Sequence, residues 1–323
     1  MRRLVFLFAL CACSGEPAEP NVAAQGSSSS ATATSAASSP VASASVAEPT
    51  ESASAVVEPS SQPSALPTVV IERDENGLWG KTIDFDYDGA DVKMRSRAYS
   101  GRVFVHAKTF EARKPVPLIV FFHGLNRAQI PHRWMGGGDE GDVRKILSAL
   151  IESGEVEPHV LAGPGSVEKD AVGGQASFPV FDFPKFVAQV VASLPEGVEI
   201  DPTRIIVTGH SGAGCSAKGG IVSAIESNPF AIVSIDTCMP GSLASSLGAV
   251  DAATHVIVTW QTVSWDREFE VFRKLFMKEV KSHPPNEGTL RELDQLPARP
   301  KAHDATVKQT FDKWLPRLLP PKR

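Results

Sequence analysis

Residues 204–220 read RIIVTGHSGAGCSAKGG, and the rest of the chain is arranged about them. Ile205, Ile206 and Val207 form an apolar β-branched run, the mark of a buried strand. The run breaks into Gly209-His210-Ser211-Gly212-Ala213-Gly214, and a helix of small residues is predicted to follow. A serine on a tight strand-to-helix turn has the layout of a nucleophile elbow. Such a turn is strained, and a large side chain beside the serine would collide with the neighbouring helix or strand. The pattern is G-x-S-x-A followed by Gly214, one position away from G-x-S-x-G, and Ala213 is small enough for the close packing. The same residues also suit an ordinary Gly/Ser-rich loop or one that cradles a phosphate, so the context has to decide.

Upstream, Pro117 to Phe122 (PLIVFF) is a continuous apolar run, as expected of a strand covered on both faces by helices. It ends in His123-Gly124-Leu125-Asn126. Helical periodicity follows in Val143, Ile146, Leu147, Leu150 and Ile151, then a short strand begins at His159 to Leu161. Phe186, Val187, Val190, Val191 and Leu194 mark a second helix, and Asp201-Pro202 turns the chain into the serine strand. Downstream, strands are predicted at Ala231–Ile235 and His255–Trp260, then an amphipathic helix over about Asp266–Lys281. A weaker strand, Thr289–Leu293, leads to a loop carrying His303, and Ala305–Leu318 is the last helix. Strands alternating with helices imply a mostly parallel sheet flanked by helices, with chemistry at the carboxyl ends of its strands.

The domain is expected to open with antiparallel strands at the N-terminal edge of that sheet. Asp84, Asp86 and Asp88 before Gly89 match the start of a calcium loop, D-x-D-x-D-G. The twelfth position is Arg95 instead of Glu, and the eighth is Asp91 instead of an apolar residue. Ile83, Phe85 and Tyr87 alternate with the aspartates, so a half-buried strand ending in an Asp88-Gly89 turn is the favoured reading. Gly101 to Thr109 supplies its neighbour.

The N-terminus belongs to a different regime. Arg2 and Arg3 precede Leu4–Leu10, an apolar run too short to span a bilayer, which reads as a secretory signal peptide. Residues 14 to about 67 are rich in Ser, Ala, Pro, Thr and Glu and hold no aromatic residue. Such a composition cannot bury enough apolar surface to offset the entropy of ordering, and predicts a disordered tether. Residues 68–323 suffice for one large α/β domain. A formal net charge of −5 and a pI near 5.9 argue against a nucleic-acid partner, which needs a basic footprint. No repeat of 20–50 residues is present, which excludes solenoids and propellers.

Leu10-Cys11-Ala12-Cys13 resembles a bacterial lipobox. The resemblance implies a signal peptide over residues 1–12, cleavage before Cys13, and acylation of Cys13 as a membrane anchor ahead of the tether over 13–67. Ser14 in the next position implies sorting to the outer membrane, facing the periplasm or the cell surface.

Over nearly all of residues 81–318 the chain resembles the α/β-hydrolase superfamily. The residues that carry the resemblance are the apolar strand followed by HGLN, the elbow GHSGAG, an acid after a later strand, and a His just before the last helix. The order Ser, acid, His is that of the family. Acyl-transfer chemistry then gives Ser211 as nucleophile, which needs a neighbouring base, and His303 as that base. The acid that orients the imidazole has two candidates. Asp266, after the strand HVIVTW and at the head of the helix DREFEVFRKLF, matches the usual position and is favoured; Asp236, after the strand AIVSID, is the alternative. The resemblance also implies an oxyanion hole from the amides of Gly212 and Leu125. His210 is expected to point away from the pocket, and His123 to hold its loop by hydrogen bonds. The long segment Asn126–Asp142, with Trp134 and Met135, is expected as a pocket wall, a mobile flap or a surface loop. The remaining histidines lack metal-ligand spacing, and no metal or organic cofactor is implied. Cys215 and Cys238 are either a disulfide between neighbouring strands or two buried thiols. The expectation is an exported serine hydrolase acting on a small-molecule ester, with a peptide as the competing substrate and a non-catalytic surface lipoprotein as the competing class.

Overall fold

The computed structural model describes residues 72–87, 99–165, 177–299 and 302–321, apart from the side chains of residues 87, 99 and 264–268. The signal peptide, Cys13, the tether and the Asp88-Gly89 turn lie outside the described residues. Eight strands form one sheet in the order β1-β2-β4-β3-β5-β6-β7-β8. They are β1 (Gly80–Tyr87), β2 (Tyr99–His106), β3 (Val116–Phe122), β4 (Val160–Gly165), β5 (Ile200–His210), β6 (Ala231–Ile235), β7 (His255–Trp260) and β8 (Arg291–Gln295). β1 pairs antiparallel with β2, and β2 antiparallel with β4; every other pairing is parallel. The antiparallel edge and the parallel centre are thus where the residue pattern places them. Asp84 lies within β1 and its carboxylate takes both arms of Arg102 on β2, at 2.6 and 2.8 Å.

Successive residues of a strand face opposite sides, so the apolar runs feed two cores. Leu118, Val120, Phe122, Val207, Ile232, Val256 and Val258 point to one side, against Phe186, Leu243, Phe272 and Phe276. These come from α3 (Phe183–Ser193), α4 (Gly241–Gly248) and α5 (Thr262–Ser282). Ile119, Phe121, Ile206, Val233 and Ile257 point to the other, against Leu147, Leu150, Phe311 and Leu315 of α2 (Val143–Glu152) and α6 (Ala302–Leu318). The remaining helix, α1 (Ala107–Glu111), replaces the end of the strand expected through Thr109.

Other boundaries moved as well. Asp201 and Pro202 fall inside β5, where the register with β3 jumps between Val116 and Leu118; the chain bulges there and Asp201 Oδ1 accepts from the Thr203 amide, as a turn residue would. The elbow strand is followed by two 3-10 stretches, Ser211–Gly214 and Gly220–Ser227, in place of one continuous helix. No helix of the described residues is long and apolar enough to cross a membrane.

Candidate active site

Ser211 follows the last residue of β5 with φ +56°, a left-handed conformation that a non-glycine residue adopts only under constraint. The constraint is visible in the glycines around it. A Cβ on Gly124 would lie 2.7 Å from Ser211 Cβ and 3.2 Å from its Oγ. A Cβ on Gly209 would meet Ile221 at 2.3 Å, and one on Gly214 would meet Thr237 at 2.6 Å. Gly124 follows β3, the strand paired with β5, so the HGLN loop is pressed against the serine from its own side. Of the two residues expected to supply oxyanion amides, Gly212 follows the serine in sequence and Leu125 follows Gly124 on that loop. His123 is buried; burial pushes its imidazole down to about 4, and its Nδ1 donates to the Gly124 carbonyl at 2.6 Å. Asn126 ties the loop off: its side-chain oxygen accepts from the Ile130 amide at 2.9 Å and its Nδ2 donates to the Ile130 carbonyl at 2.8 Å.

His303 is the second residue of α6, not a residue of the loop before it. Its Nδ1 donates to Asp236 Oδ2 at 2.7 Å. With Nδ1 committed to a carboxylate, Nε2 is the basic nitrogen, which is the tautomer a general base needs. Asp236 follows β6 with φ +43° and is wholly buried. Its amide donates to the Thr259 carbonyl at 2.8 Å, which fixes the turn. The structure therefore pairs His303 with the residue given as the alternative acid. Asp266 lies in the second turn of α5, because that helix begins at Thr262 and its N-cap is Gln261, four residues earlier than the sequence pattern places it. The side chain of Asp266 lies outside the described residues.

Gln261 went unnoticed at the level of sequence. It follows β7, is fully buried, and donates from Nε2 to Asp236 Oδ2 at 2.9 Å. Its Oε1 accepts from the Val263 amide at 2.7 Å. Glutamine is a rare helix cap, and nothing in the linear pattern marks it.

His210 is buried as expected of a side chain turned from the pocket, yet it turns toward the base. Its ring lies 4.5 Å from that of His303, and its Nε2 donates to the His303 carbonyl at 3.0 Å. A carbonyl only accepts, so His210 carries its proton on Nε2. Burial first, and then any charge on His303, hold its pKa well below the ordinary value. His210 thus adjoins Ser211 along the chain and His303 in space, and no hydrogen bond joins the side chains of Ser211 and His303 among the described residues. Such contacts commonly close only around a substrate.

Segment 126–142 is anchored, not loose. Trp134 and Met135 are buried, Trp134 packs on Phe121 and on His210, and Arg102 donates to the Met135 carbonyl at 3.0 Å. Arg133 pairs with Glu140, and the fully buried Arg144 fills the space beside Gly136. Cys215 and Cys238 are disulfide-bonded, their Cα atoms 5.0 Å apart. Cys215 lies four residues past Ser211 and Cys238 two past Asp236, so the bond joins the serine turn to the acid turn. No cluster of three or more His, Cys, Asp or Glu suited to a metal occurs among the described residues.

No protein-family model and no curated protein matches the chain. Solved structures do. A ferulic acid esterase superposes with a TM-score of 0.53 at 12% identity, covering 75% of this chain and 98% of its own. The feruloyl esterase module of Clostridium thermocellum, solved as a mutant complexed with sinapinate, gives 0.52 at 13% identity over 74% and 88%. The S-formylglutathione hydrolase of Agrobacterium tumefaciens gives 0.50 at 14% identity over 74% and 96%. At such identities the likeness speaks for the architecture alone: this chain has the α/β-hydrolase fold.

Proposed function

We propose that the protein is an exported serine hydrolase that cleaves carboxylic esters through an acyl-enzyme on Ser211. The observation that carries the reading is the pairing of the buried Asp236 with His303, 2.7 Å apart, at the same end of the sheet as a serine held at φ +56°. In this reading His303 Nε2 takes the Ser211 proton as Oγ attacks the ester carbonyl. Asp236 holds the ring and stabilises the imidazolium. The amides of Gly212 and Leu125 meet the oxyanion. Collapse of the tetrahedral adduct breaks the ester C–O bond, and the imidazolium returns its proton to the departing alcohol. Water, activated by the same imidazole, then releases the acid. The names of the structural neighbours, esterases among them, support an ester over other acyl substrates. No metal or organic cofactor enters this scheme.

The N-terminal sequence supports export and anchoring: Leu10-Cys11-Ala12-Cys13 behind a short apolar core, with Ser14 next, suits an acylated Cys13 at the outer membrane and a tether that lets the domain stand off it. A Cys13→Ala protein that still partitions with membranes would sink the anchor.

The enzyme reading is tested by a fluorophosphonate probe on the full chain in detergent. Wild type becomes labelled and Ser211→Ala does not. No labelling of wild type, or equal labelling of both, refutes the nucleophile, and faster cleavage of peptides than of p-nitrophenyl esters refutes the ester assignment.

A further inference from the structure

The side chain of Gln261 joins two structures that have no other reason to meet. One is the N-terminus of α5, a 21-residue helix whose first amides lack intrahelical partners. The other is Asp236 Oδ2, the oxygen that also accepts from His303 Nδ1. Because Oε1 accepts from the Val263 amide, the side-chain amide has only one orientation, and Nε2 must be the end that faces the carboxylate. The Val263 N–H draws density from the amide and strengthens Nε2 as a donor, since hydrogen bonds in a chain polarise one another.

The carboxylate needs such a donor. Asp236 Oδ1 is buried and has no hydrogen-bond partner among the described residues. A carboxylate held only by His303 would be free to turn Oδ1 toward the ring and back, and the imidazole would have no fixed direction. With Gln261 on Oδ2, one oxygen is pinned by two donors 2.7 and 2.9 Å away. The His303 main-chain carbonyl accepts from His210 Nε2 at 3.0 Å and from Thr306 Oγ1 at 2.6 Å. Ring and backbone of His303 are thereby fixed from separate elements, the ring from the ends of β6 and β7 through Asp236 and Gln261, and the backbone from β5 through His210 and from its own helix through Thr306.

We propose that Gln261 is a positioning residue of this site, aligning the Asp236 carboxylate on His303 while capping α5. The inference rests on the hydrolase reading for its consequence in turnover, but its geometry can be read without substrate. The two duties separate by mutation. Gln261→Ser retains a good N-cap but is too short to reach Asp236. Gln261→Glu retains the acceptor for Val263 and offers a donor only while its carboxyl is protonated.

The test compares wild type, Gln261→Ser and Gln261→Glu as full chains in detergent. Expected for Gln261→Ser is a melting temperature within a few degrees of wild type, a kcat lowered about tenfold, and a KM within twofold. The downfield proton resonance of His303 Nδ1–H, identified by its loss in Asp236→Ala, broadens or exchanges faster with water. Gln261→Glu is expected to lose activity progressively as pH rises, a limb absent from wild type. A wild-type kcat together with an unchanged Nδ1–H resonance in Gln261→Ser would show that Gln261 only caps the helix, and would overturn the proposal. If Gln261→Ser unfolds, a Gln261→Glu protein with the wild-type pH profile and resonance overturns it equally. Should wild type show no Ser211-dependent turnover, the hydrolase reading falls while the resonance still decides whether Gln261 orders the pair.

Discussion

Replacing Asp236 by Asn removes one charge and little else. Asp236 Oδ2 accepts from both His303 Nδ1 and Gln261 Nε2, whereas Oδ1 has no partner among the described residues. An asparagine can therefore place its carbonyl oxygen at the Oδ2 position and keep both bonds, with its NH2 at the Oδ1 position. The imidazole keeps its tautomer, and what is lost is the attraction between the carboxylate and the imidazolium that the proposed reaction forms. For unit charges about 4 Å apart at an effective dielectric of about 20 that attraction is about 4 kcal/mol. The His303 side chain is 36% exposed, and solvent screens part of it, which leaves roughly 2–4 kcal/mol. Asp236→Asn is then expected to lower kcat/KM for a p-nitrophenyl ester by about 30- to 1,000-fold, since about 1.4 kcal/mol is tenfold. Asp266→Asn should stay within about twofold. Steady-state kinetics of the two variants at one pH decide it. A loss in Asp266→Asn that equals or exceeds the loss in Asp236→Asn would refute the assignment of the acid.

Three further outcomes follow from the packing. His123 and His159 are buried and neutral, both pushed down to about 4 by burial. A histidine with a depressed folded-state pKa stabilises the fold fully above the unfolded value, about 6.5, and that stability is lost as pH falls toward 4. Each should cost about 2 kcal/mol between pH 7 and pH 5, read as a falling urea midpoint; an unchanged midpoint contradicts the burial of the pair. Gly124→Ala puts a methyl group 2.7 Å from Ser211 Cβ, and is expected to cut fluorophosphonate labelling at least tenfold without unfolding the protein; full labelling rate rules out the close approach. The Cys215–Cys238 bond spans 23 residues of sequence, so its removal by a double alanine substitution should lower stability by about 3 kcal/mol in chemical denaturation. Equal midpoints with and without the bond would show that the unfolded chain gains nothing from it.

Much of this fold was legible because its signals are local and redundant. PLIVFF and IIV are apolar at every position, which only a strand covered on both faces requires, and β3 and β5 formed there. HGLN, GHSGAG and His303 stand out as a set in the sequence because their order along the chain carries information that no one of them carries alone. The carboxylate that pairs with His303 does not. Asp266 looked like the start of a helix because aspartate is a good cap, but α5 is capped by Gln261, whose fitness depends on a carboxylate 25 residues away in sequence. Asp236 reads in sequence as a plain turn former, and only the pairing of β6 with β7 brings it under Gln261. Trp134 and Met135 sit in a stretch with glycines and charges whose pattern leaves pocket wall, flap and surface loop equally open; their burial comes from contacts with β4 and β5, where Met135 lies against Gly163 and Trp134 against His210. No window of sequence contains both sides of such a contact.

The break behind the serine bears on how negative charge would be held there. A long α-helix starting at Ser211 would bring the field of many aligned peptide dipoles to bear on the developing oxyanion. Here the 3-10 stretch ends at Gly214, and its C-cap, Cys215, is bonded to Cys238. In the proposed reaction, stabilisation of the oxyanion then falls to point donors at short range, whose strength depends steeply on their distance. Under the proposed reaction such a site trades a forgiving, diffuse field for a stringent one, in which the placing of the carbonyl oxygen counts for more than the reach of a helix dipole.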